Sequence, residues 1–159
     1  MKITILTVGK IKEKFFRGAV EEYSKRLSRY CKLEIIEVAD EKTPDHASAH
    51  EEELIRAKEA ERLKKYIKDN AYTIALAIDG KQYSSEDFSA HVHDLGLKGE
   101  SNLQLIIGGS IGLAPEILSL AQEKISFSKM TFPHQLMRVI LLEQIYRAYR
   151  IMNGEPYHK

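Results

Sequence analysis

Apolar residues are concentrated in five short runs along the chain, each with the length and composition typical of a buried β-strand. The run YTIALAI at residues 72–78 is almost continuously apolar, as expected of a central strand covered on both faces. It is followed by Asp79–Gly80, which predicts a turn. The other four runs lie at residues 3–8, 33–38, 103–107 and 124–127.

The segments between these runs have the spacing of helices. Segment 12–30 shows one apolar face at steps of three and four, formed by Phe16, Val20, Tyr23, Leu27 and Tyr30. Segment 46–67 has few apolar positions and charges of both signs, so we expect a long, mostly exposed helix. Further helices are predicted from Ser84 to Gly96, from Pro115 onward, and over 133–153 with Gly154 as its terminating glycine.

Strands and helices therefore alternate along the whole chain. This order predicts an α/β fold with a mostly parallel sheet and helices on both of its faces. The chain has 159 residues and no linker-like or repeated segment, so we expect one domain over residues 1–159. Ligands of open α/β sheets bind at the carboxyl ends of the strands, and candidate site residues are sought there.

Composition narrows the function classes. The net charge of +1 excludes a general electrostatic attraction to nucleic acid, so any RNA contact must depend on local basic patches. Cys31 has no second cysteine to pair with and no zinc-type spacing around it, so we expect a small buried apolar side chain and no metal. The opening MKITILTVGK lacks a signal-peptide pattern, and no apolar run reaches membrane-spanning length. We expect a cytoplasmic protein.

Two segments are candidates for ligand binding. The turn Gly108 to Gly112 follows a buried strand, and its glycines permit either close approach of a ligand or tight packing; the sequence does not choose between these. Its spacing matches neither GxGxxG nor a P-loop, which argues against dinucleotide binding and nucleotide hydrolysis. The loop 127–135 lies between the last strand and the last helix and could close over the same edge. Taken alone, His134 in this loop is better explained as a helix N-terminal histidine that forms local hydrogen bonds.

The last helix carries more apolar surface than a single buried face requires. The helix either lies deep in the monomer or packs on a second chain. We favour the second interpretation, a homodimer with this helix in its interface, in which Arg138, Arg147 and Arg150 could meet the partner or phosphate. The tail, residues 155–159, ends in Tyr157, His158 and Lys159. These types could stack on a base, transfer a proton and contact phosphate, although composition alone favours a disordered tail.

Three stretches together carry a family resemblance: KITILTVGKIKEKF, LIIGGSIGL and SFSKMTFPHQLMRVILLEQIYRAYRIMNGEPYHK. The chain resembles, from end to end, the family of ribosomal RNA large subunit methyltransferase H, small bacterial enzymes of the SPOUT class. One departure is Ser110, where relatives often have proline. The resemblance implies an α/β trefoil knot in the C-terminal half, against the general rarity of knots. It also implies homodimers that act on assembled ribosomes.

The resemblance further implies S-adenosylmethionine as cofactor and N3-methylated pseudouridine in large-subunit (23S) ribosomal RNA as product. The cofactor-binding positions it implies are Leu76, Gly108, Phe127, Ser128, Lys129, Met130, Thr131 and Phe132. The family's Tyr-His ending is matched by Tyr157 and His158. We therefore expect His158 to accept the proton of the ring nitrogen and Tyr157 to position or stack the base, with His134 and then Glu143 as further candidates.

RNA contact is expected from local basic residues. Lys10, Lys12, Lys14 and Arg17 form one candidate patch, and Arg138 with Lys159 another. Two other functions remain open on the sequence. One is a ribosome-associated factor that binds RNA without catalysis, which would have no need of S-adenosylmethionine. The other is a tRNA methyltransferase, which the absence of an added RNA-binding domain argues against.

Overall fold

Five strands pair side by side in one sheet in the computed structural model, which describes residues 1–159. The strand order is β2-β1-β4-β3-β5, and every neighbouring pair is parallel, which confirms the predicted parallel sheet. The strands are β1 Lys2–Val8, β2 Lys32–Val38, β3 Tyr72–Gln82, β4 Asn102–Ile107 and β5 Glu123–Ser126.

Helices cover both faces of this sheet, as predicted. They are α1 Lys14–Leu27, α2 Ala49–Lys64, α3 Ser85–Leu97, α4 Pro115–Leu120 and α5 His134–Met152. Helices α1, α3 and α5 pack on one face, where Leu27, Phe88 and Leu141 join one apolar cluster. Helices α2 and α4 pack on the other face, where Leu63 and Ile117 join a second cluster. None of the helices is long and apolar enough to span a membrane.

The pattern of β1 explains why the sheet is covered on two sides. Ile3 and Ile5 belong to the cluster under α1, α3 and α5, whereas Leu6 and Val8 belong to the cluster under α2 and α4. Side chains alternate along a strand, so a strand that is buried at every position but its first requires packing on both faces. Burial of Cys31 agrees with its predicted role as a small apolar residue.

Helix termini follow the sequence signals closely. The Ser84 side chain accepts a hydrogen bond from the Asp87 amide and caps α3, and Pro115 begins α4. Helix α5 is followed by Gly154 at a φ of +64°, as predicted for a terminating glycine. Helix α2 begins later than predicted, because Ser48 forms a capping box with Glu51.

Strand β3 differs from its prediction. The predicted turn at Asp79–Gly80 is wrong, because the strand continues to Gln82. Leu76 and Lys81 both pair with Ile125, so the residues between them form a bulge. A polar Asp-Gly pair is typical of turns, but here the neighbouring edge strand pairs with the chain on both sides of it. The trefoil knot and the single-domain assignment stay predictions.

Candidate functional site

The carboxyl ends of β3, β4 and β5 open into a cleft of about 1270 Å³. Four segments supply most of its wall: the end of β3, the glycine turn after β4, the loop after β5 and the first turn of α5. Such an edge is where open α/β sheets bind ligands. One side of helix α2 completes the rim, through Glu52, Glu53, Arg56 and Ala57.

Most of the residues expected to bind the cofactor lie around this cleft. Its lining includes Leu76, Gly108, Phe127, Ser128, Met130, Thr131 and Phe132. Lys129 is the exception and does not contribute to the wall. The cleft brings together segments that are about fifty residues apart in the sequence, and the roles of these residues as cofactor contacts stay predictions.

The glycine turn is tight because its own backbone folds back on itself. A Cβ on Gly108 would lie 2.7 Å from the carbonyl carbon of Gly112 and 3.0 Å from the Leu113 nitrogen. Gly109 and Gly112 also form an isolated antiparallel bridge. The glycines therefore do permit tight packing, which is one of the two explanations left open by the sequence. The turn also lines the cleft, and its close contact with a ligand stays a prediction.

The loop after β5 has its shape set by two serines. Ser126 Oγ donates to the Ser128 carbonyl at 3.0 Å, and Ser128 Oγ accepts from the Met130 amide at 2.9 Å. These local bonds turn the chain over the mouth of the cleft and leave Met130 74% exposed. The loop therefore contributes both backbone groups and the exposed, flexible Met130 side chain to the cleft wall.

His134 is the imidazole at the cleft. It is the first residue of α5, and its Nε2 would lie 3.3 Å from a Cβ on Gly9 at the end of β1. Burial and the nearby charge of Arg138 lower the pKa of His134, while Asp40 opposes this. A neutral imidazole beside a ligand cleft is able to accept a proton.

A match to a family model fits this geometry. Residues 1–158 match the model described as "Predicted SPOUT methyltransferase". The chain belongs to the SPOUT methyltransferase family. Membership confirms the resemblance and makes this protein a methyltransferase that takes its methyl group from a donor cofactor.

Curated relatives match the methyltransferase over its full length. Proteins from Bifidobacterium adolescentis, Clostridium tetani and Clostridium kluyveri are 68%, 65% and 62% identical to it. Each alignment spans 159 residues and covers 100% of both chains. All three relatives are named "Ribosomal RNA large subunit methyltransferase H".

A solved structure supports the fold alone. It is titled "The structure of a probable methylase family protein from Haemophilus influenzae Rd KW20" and aligns with a TM-score of 0.56 at 12% identity. The alignment covers 99% of the methyltransferase and 70% of that chain.

Arg138 is placed differently from its prediction. Its side chain is 1% exposed and donates to the Glu37 carboxylate at 2.6 Å and to the Gly9 and Val8 carbonyls at 2.6 and 3.2 Å. The expectation that Arg138 meets phosphate or a partner chain is wrong. Because β1 ends under α5, the carbonyls that need a donor lie inside the molecule, and arginine can reach several of them at once.

The tail of the methyltransferase is docked on α5, not loose as composition suggests. Tyr157 donates to Glu143 at 3.0 Å, and the Arg147 guanidinium lies 4.6 Å from the centre of the Tyr157 ring. Burial and the Glu143 carboxylate raise the pKa of Tyr157 to about 12. His158 Nδ1 accepts from Arg147 at 3.1 Å, and its Nε2 lies 2.5 Å from Glu86.

The structure therefore separates the two proposed catalytic residues from the cleft of their own chain. Tyr157, His158 and Glu143 are absent from the cleft wall, whereas His134 is part of it. Both ring nitrogens of His158 are occupied by other side chains in this conformation. The catalytic roles of Tyr157 and His158 stay predictions.

Two further features of the site have no signal in the sequence. Helix α2 has the charges of a solvated helix, yet Arg56 lies at the cleft and donates to the Ile111 carbonyl of the glycine turn at 3.3 Å. On the sheet-facing side of the same helix, Glu59 is only 4% exposed.

The described residues include no group of three or more His, Cys, Asp or Glu arranged to hold a metal ion.

Proposed function

We propose that this methyltransferase transfers the methyl group of S-adenosylmethionine to N3 of a pseudouridine in 23S ribosomal RNA, on the assembled ribosome. The observation that carries the proposal is the cleft at the carboxyl ends of β3, β4 and β5, walled by the glycine turn and the loop 127–132. The full-length relatives named ribosomal RNA large subunit methyltransferase H support the substrate class. A ribosomal substrate implies a cytoplasmic protein.

The cleft suits the proposed donor in size and chemistry. Ligand pockets for molecules of this size are commonly about 300–1,000 Å³, so a cleft of about 1270 Å³ has room for the donor and part of a nucleotide. Leu76 and Phe127 offer apolar walls, and Gly108 leaves its turn without a side chain between backbone and ligand. S-adenosylmethionine carries its own electrophilic methyl group, so the first task of this chain's residues is to bind and orient the donor and to exclude water.

A proton acceptor is the second requirement, because the attacking ring nitrogen carries a proton that must leave. His158 remains our first candidate, with Tyr157 orienting the base, and His134 is the alternative within the same chain. Tyr157 rests on Glu143 and Arg147, which share the outward face of α5 with Leu136 and Ile140.

In a homodimer built on this outward face, the tail of each chain lies in the interface. It can then serve the partner's cleft and not its own. This arrangement accounts for a catalytic tail that lies outside the cleft of its own chain.

RNA is met, in this proposal, by the exposed basic segment after β1. Lys10, Lys12, Lys14 and Arg17 are all exposed. The Lys12 amide donates to Gln135 Oε1 at 3.0 Å, which fixes this segment beside the first turn of α5 and the cleft. Phosphate contacts from this patch would make binding weaken as salt increases.

The test is transfer of labelled methyl from S-adenosylmethionine to ribosomes from a strain lacking this gene. We expect label on assembled ribosomes and little on free large subunits or naked ribosomal RNA. Label on tRNA instead would reassign the substrate. Binding of S-adenosylmethionine without label on any RNA would contradict the proposed function. No binding of S-adenosylmethionine would favour a non-catalytic RNA-binding factor.

Two histidine variants assign the proton acceptor. If His158 accepts the proton, His158→Ala lowers the transfer rate by about 100-fold, a typical general-base contribution. His134→Ala is compared in the same assay, and His93→Ala on the exposed side of α3 is the matched control. A wild-type rate for His158→Ala together with loss in His134→Ala would move the role to His134.

A further inference from the structure

Glu59 is an acidic residue buried where an apolar one would be expected. Its side chain is 4% exposed and lies on the face of α2 that also buries Ile55 and Leu63 against the sheet. Carboxyl groups are rarely this buried unless they are paired with a cation or fully hydrogen-bonded. No arginine or lysine forms a hydrogen bond or ion pair with Glu59, so its position requires another explanation.

The carboxyl group lies directly behind the glycine turn. A Cβ on Gly109 would be 3.4 Å from both Glu59 oxygens and 3.2 Å from Val8 Cγ1. Gly109 itself is part of the cleft wall. The Glu59 carboxyl therefore occupies the space behind a residue whose backbone faces the ligand.

Glu59 also holds the loop after β2, which lies beside the glycine turn. Its Oε2 accepts a hydrogen bond from the Glu41 amide at 3.0 Å. Nearby, Thr43 and Ser110 bring their hydroxyl oxygens to 3.5 Å, and Arg56 holds the Ile111 carbonyl. The Glu59 carboxyl thus hydrogen-bonds the loop after β2 and lies against Gly109, so helix α2, this loop and the turn meet at one place although they are far apart in the sequence.

Packing alone does not require a carboxyl at this place. Oε1 of Glu59 is buried and has no hydrogen-bond partner, which lowers stability relative to an apolar side chain of similar size. An unpaired buried polar atom calls for an explanation beyond packing, and it leaves one hydrogen-bonding position free beside the turn.

The surroundings raise the pKa of the Glu59 carboxyl above its ordinary value. Burial raises the pKa of Glu59 first of all, and the carboxylates of Asp40 and Glu41 raise it further. The hydrogen bond from the Glu41 amide and the positive charge of Arg62 oppose this rise, although the Arg62 guanidinium is itself engaged with the Ala39 carbonyl and with Glu41. A neutral carboxyl can accept from the Glu41 amide through one oxygen and donate through the other.

We propose that Glu59 is a positioning residue that holds Gly109 and the turn 108–112 in the conformation that grips the methyl donor. It acts through the backbone of the turn and does not itself touch the donor. The identity of the donor rests on the proposed function, whereas the support of the turn by Glu59 does not.

The experiment compares Glu59→Leu, which keeps the bulk, with Glu59→Gln, which keeps both bulk and neutral hydrogen bonding. Glu61→Leu and Glu61→Gln on the exposed side of α2 are the matched controls. S-adenosylhomocysteine binding is measured by calorimetry, and amide hydrogen exchange is followed in residues 108–112, at a temperature where every variant is folded. Glu59→Leu should weaken binding about tenfold and speed exchange in the turn, the scale of one lost hydrogen bond. Glu59→Gln should stay within about threefold of wild type.

The outcomes test two claims separately: the positioning role of Glu59 and the identity of the methyl donor. Unchanged binding and unchanged turn exchange in Glu59→Leu would overturn the positioning role. An equal loss in Glu59→Gln would overturn it as well, because neutral hydrogen bonding would then be insufficient. If the wild type binds no S-adenosylhomocysteine but Glu59→Leu still speeds exchange in the turn, the proposed donor is wrong and the positioning role stands.

Discussion

At the residue scale, His134 and Arg138 show how one helical turn combines a structural charge with a chemical group. Arg138 loses its hydration on burial, and Glu37 and two backbone carbonyls compensate for this. Its positive charge lies one turn from His134 and helps to keep that imidazole neutral. Arg138 thus stabilises the end of β1 and lowers the pKa of His134, the only imidazole in the cleft wall.

Replacing Arg138 with alanine should destabilise the fold strongly. The change removes the Arg138 donor from the Val8 and Gly9 carbonyls, and leaving a buried acceptor unsatisfied costs about 1–3 kcal/mol for each group. Glu37 contributes less, because it is 35% exposed and still accepts from the Ile11 amide. The free energy of unfolding in urea measures this. Lys58→Ala, at an exposed position of α2 without an ion pair, should change it by less than about 0.5 kcal/mol. A loss for Arg138→Ala as small as this would contradict the buried network.

His134 should make stability depend on pH in a defined direction. Its pKa is lowered in the folded state from an ordinary value of 6.5, so the unfolded chain takes up the proton first. Stability is fully present above pH 6.5 and is lost as the pH falls through the lowered pKa. NMR titration of the imidazole should give a pKa below 6.5, and His134→Gln should flatten the pH dependence of the urea midpoint. A pKa at or above 6.5 would count against the burial described here.

At the element scale, the bulge in β3 depends on contact with β5. A Cβ on Gly80 would lie 2.7 Å from the Ile125 carbonyl carbon and 2.8 Å from the Ile125 nitrogen. These are backbone atoms of a paired strand, which cannot move aside as a flexible side chain can. The bulge also lets β3 continue past Leu76. Leu76 and the residues after it form part of the cleft wall.

Gly80→Ala should therefore destabilise the protein by about 3 kcal/mol, the upper range for overpacking a filled site. Gly18→Ala is the matched control, because Gly18 lies within α1 with no atom within 4 Å of its Cβ position. That control should instead stabilise by about 0.5–1 kcal/mol through helix propensity. The free energies of unfolding of both variants are compared by thermal unfolding. Equal changes in the two variants would show that the Ile125 backbone can move away from a Cβ at residue 80.

At the scale of the whole molecule, the outward face of α5 decides the proposed assembly. Leu136 and Ile140 lie on this face opposite the buried side of the helix, which includes Leu141 and Ile145. Because the tail rests on the same face, a dimer through α5 would order both the interface and the proposed catalytic residues. Assembly and activity should then be lost together.

Ile140→Glu should convert the proposed dimer to a monomer, because it places a charge in an apolar interface. Light scattering after size-exclusion chromatography should give twice 18.2 kDa for the wild type and 18.2 kDa for the variant. Leu97→Glu, at a position of α3 that is already 74% exposed, is the control and should remain dimeric. A monomeric wild type at micromolar concentration would contradict the assembly.

Much of the candidate site could be predicted from the sequence because its residues are joined to strong local signals. Gly108 follows a buried apolar strand, and the loop 127–132 precedes a long apolar helix. Glu59 and Arg56 could not be found this way, because charged residues on a helix usually face water. Their burial or place at the cleft depends on where α2 crosses the sheet.

The sequence by itself determined the order of strands and helices, the parallel sheet and the family, because apolar periodicity and capping residues act over short distances along the chain. Only the tertiary structure decided the bulge at Gly80, the burial of Arg138, the place of Glu59 behind Gly109 and the docking of Tyr157 and His158 outside the cleft. Each of these four features depends on contact with residues more than twelve positions away in the sequence or on the docked tail. Which residues meet there is decided by tertiary packing, which local sequence patterns do not encode.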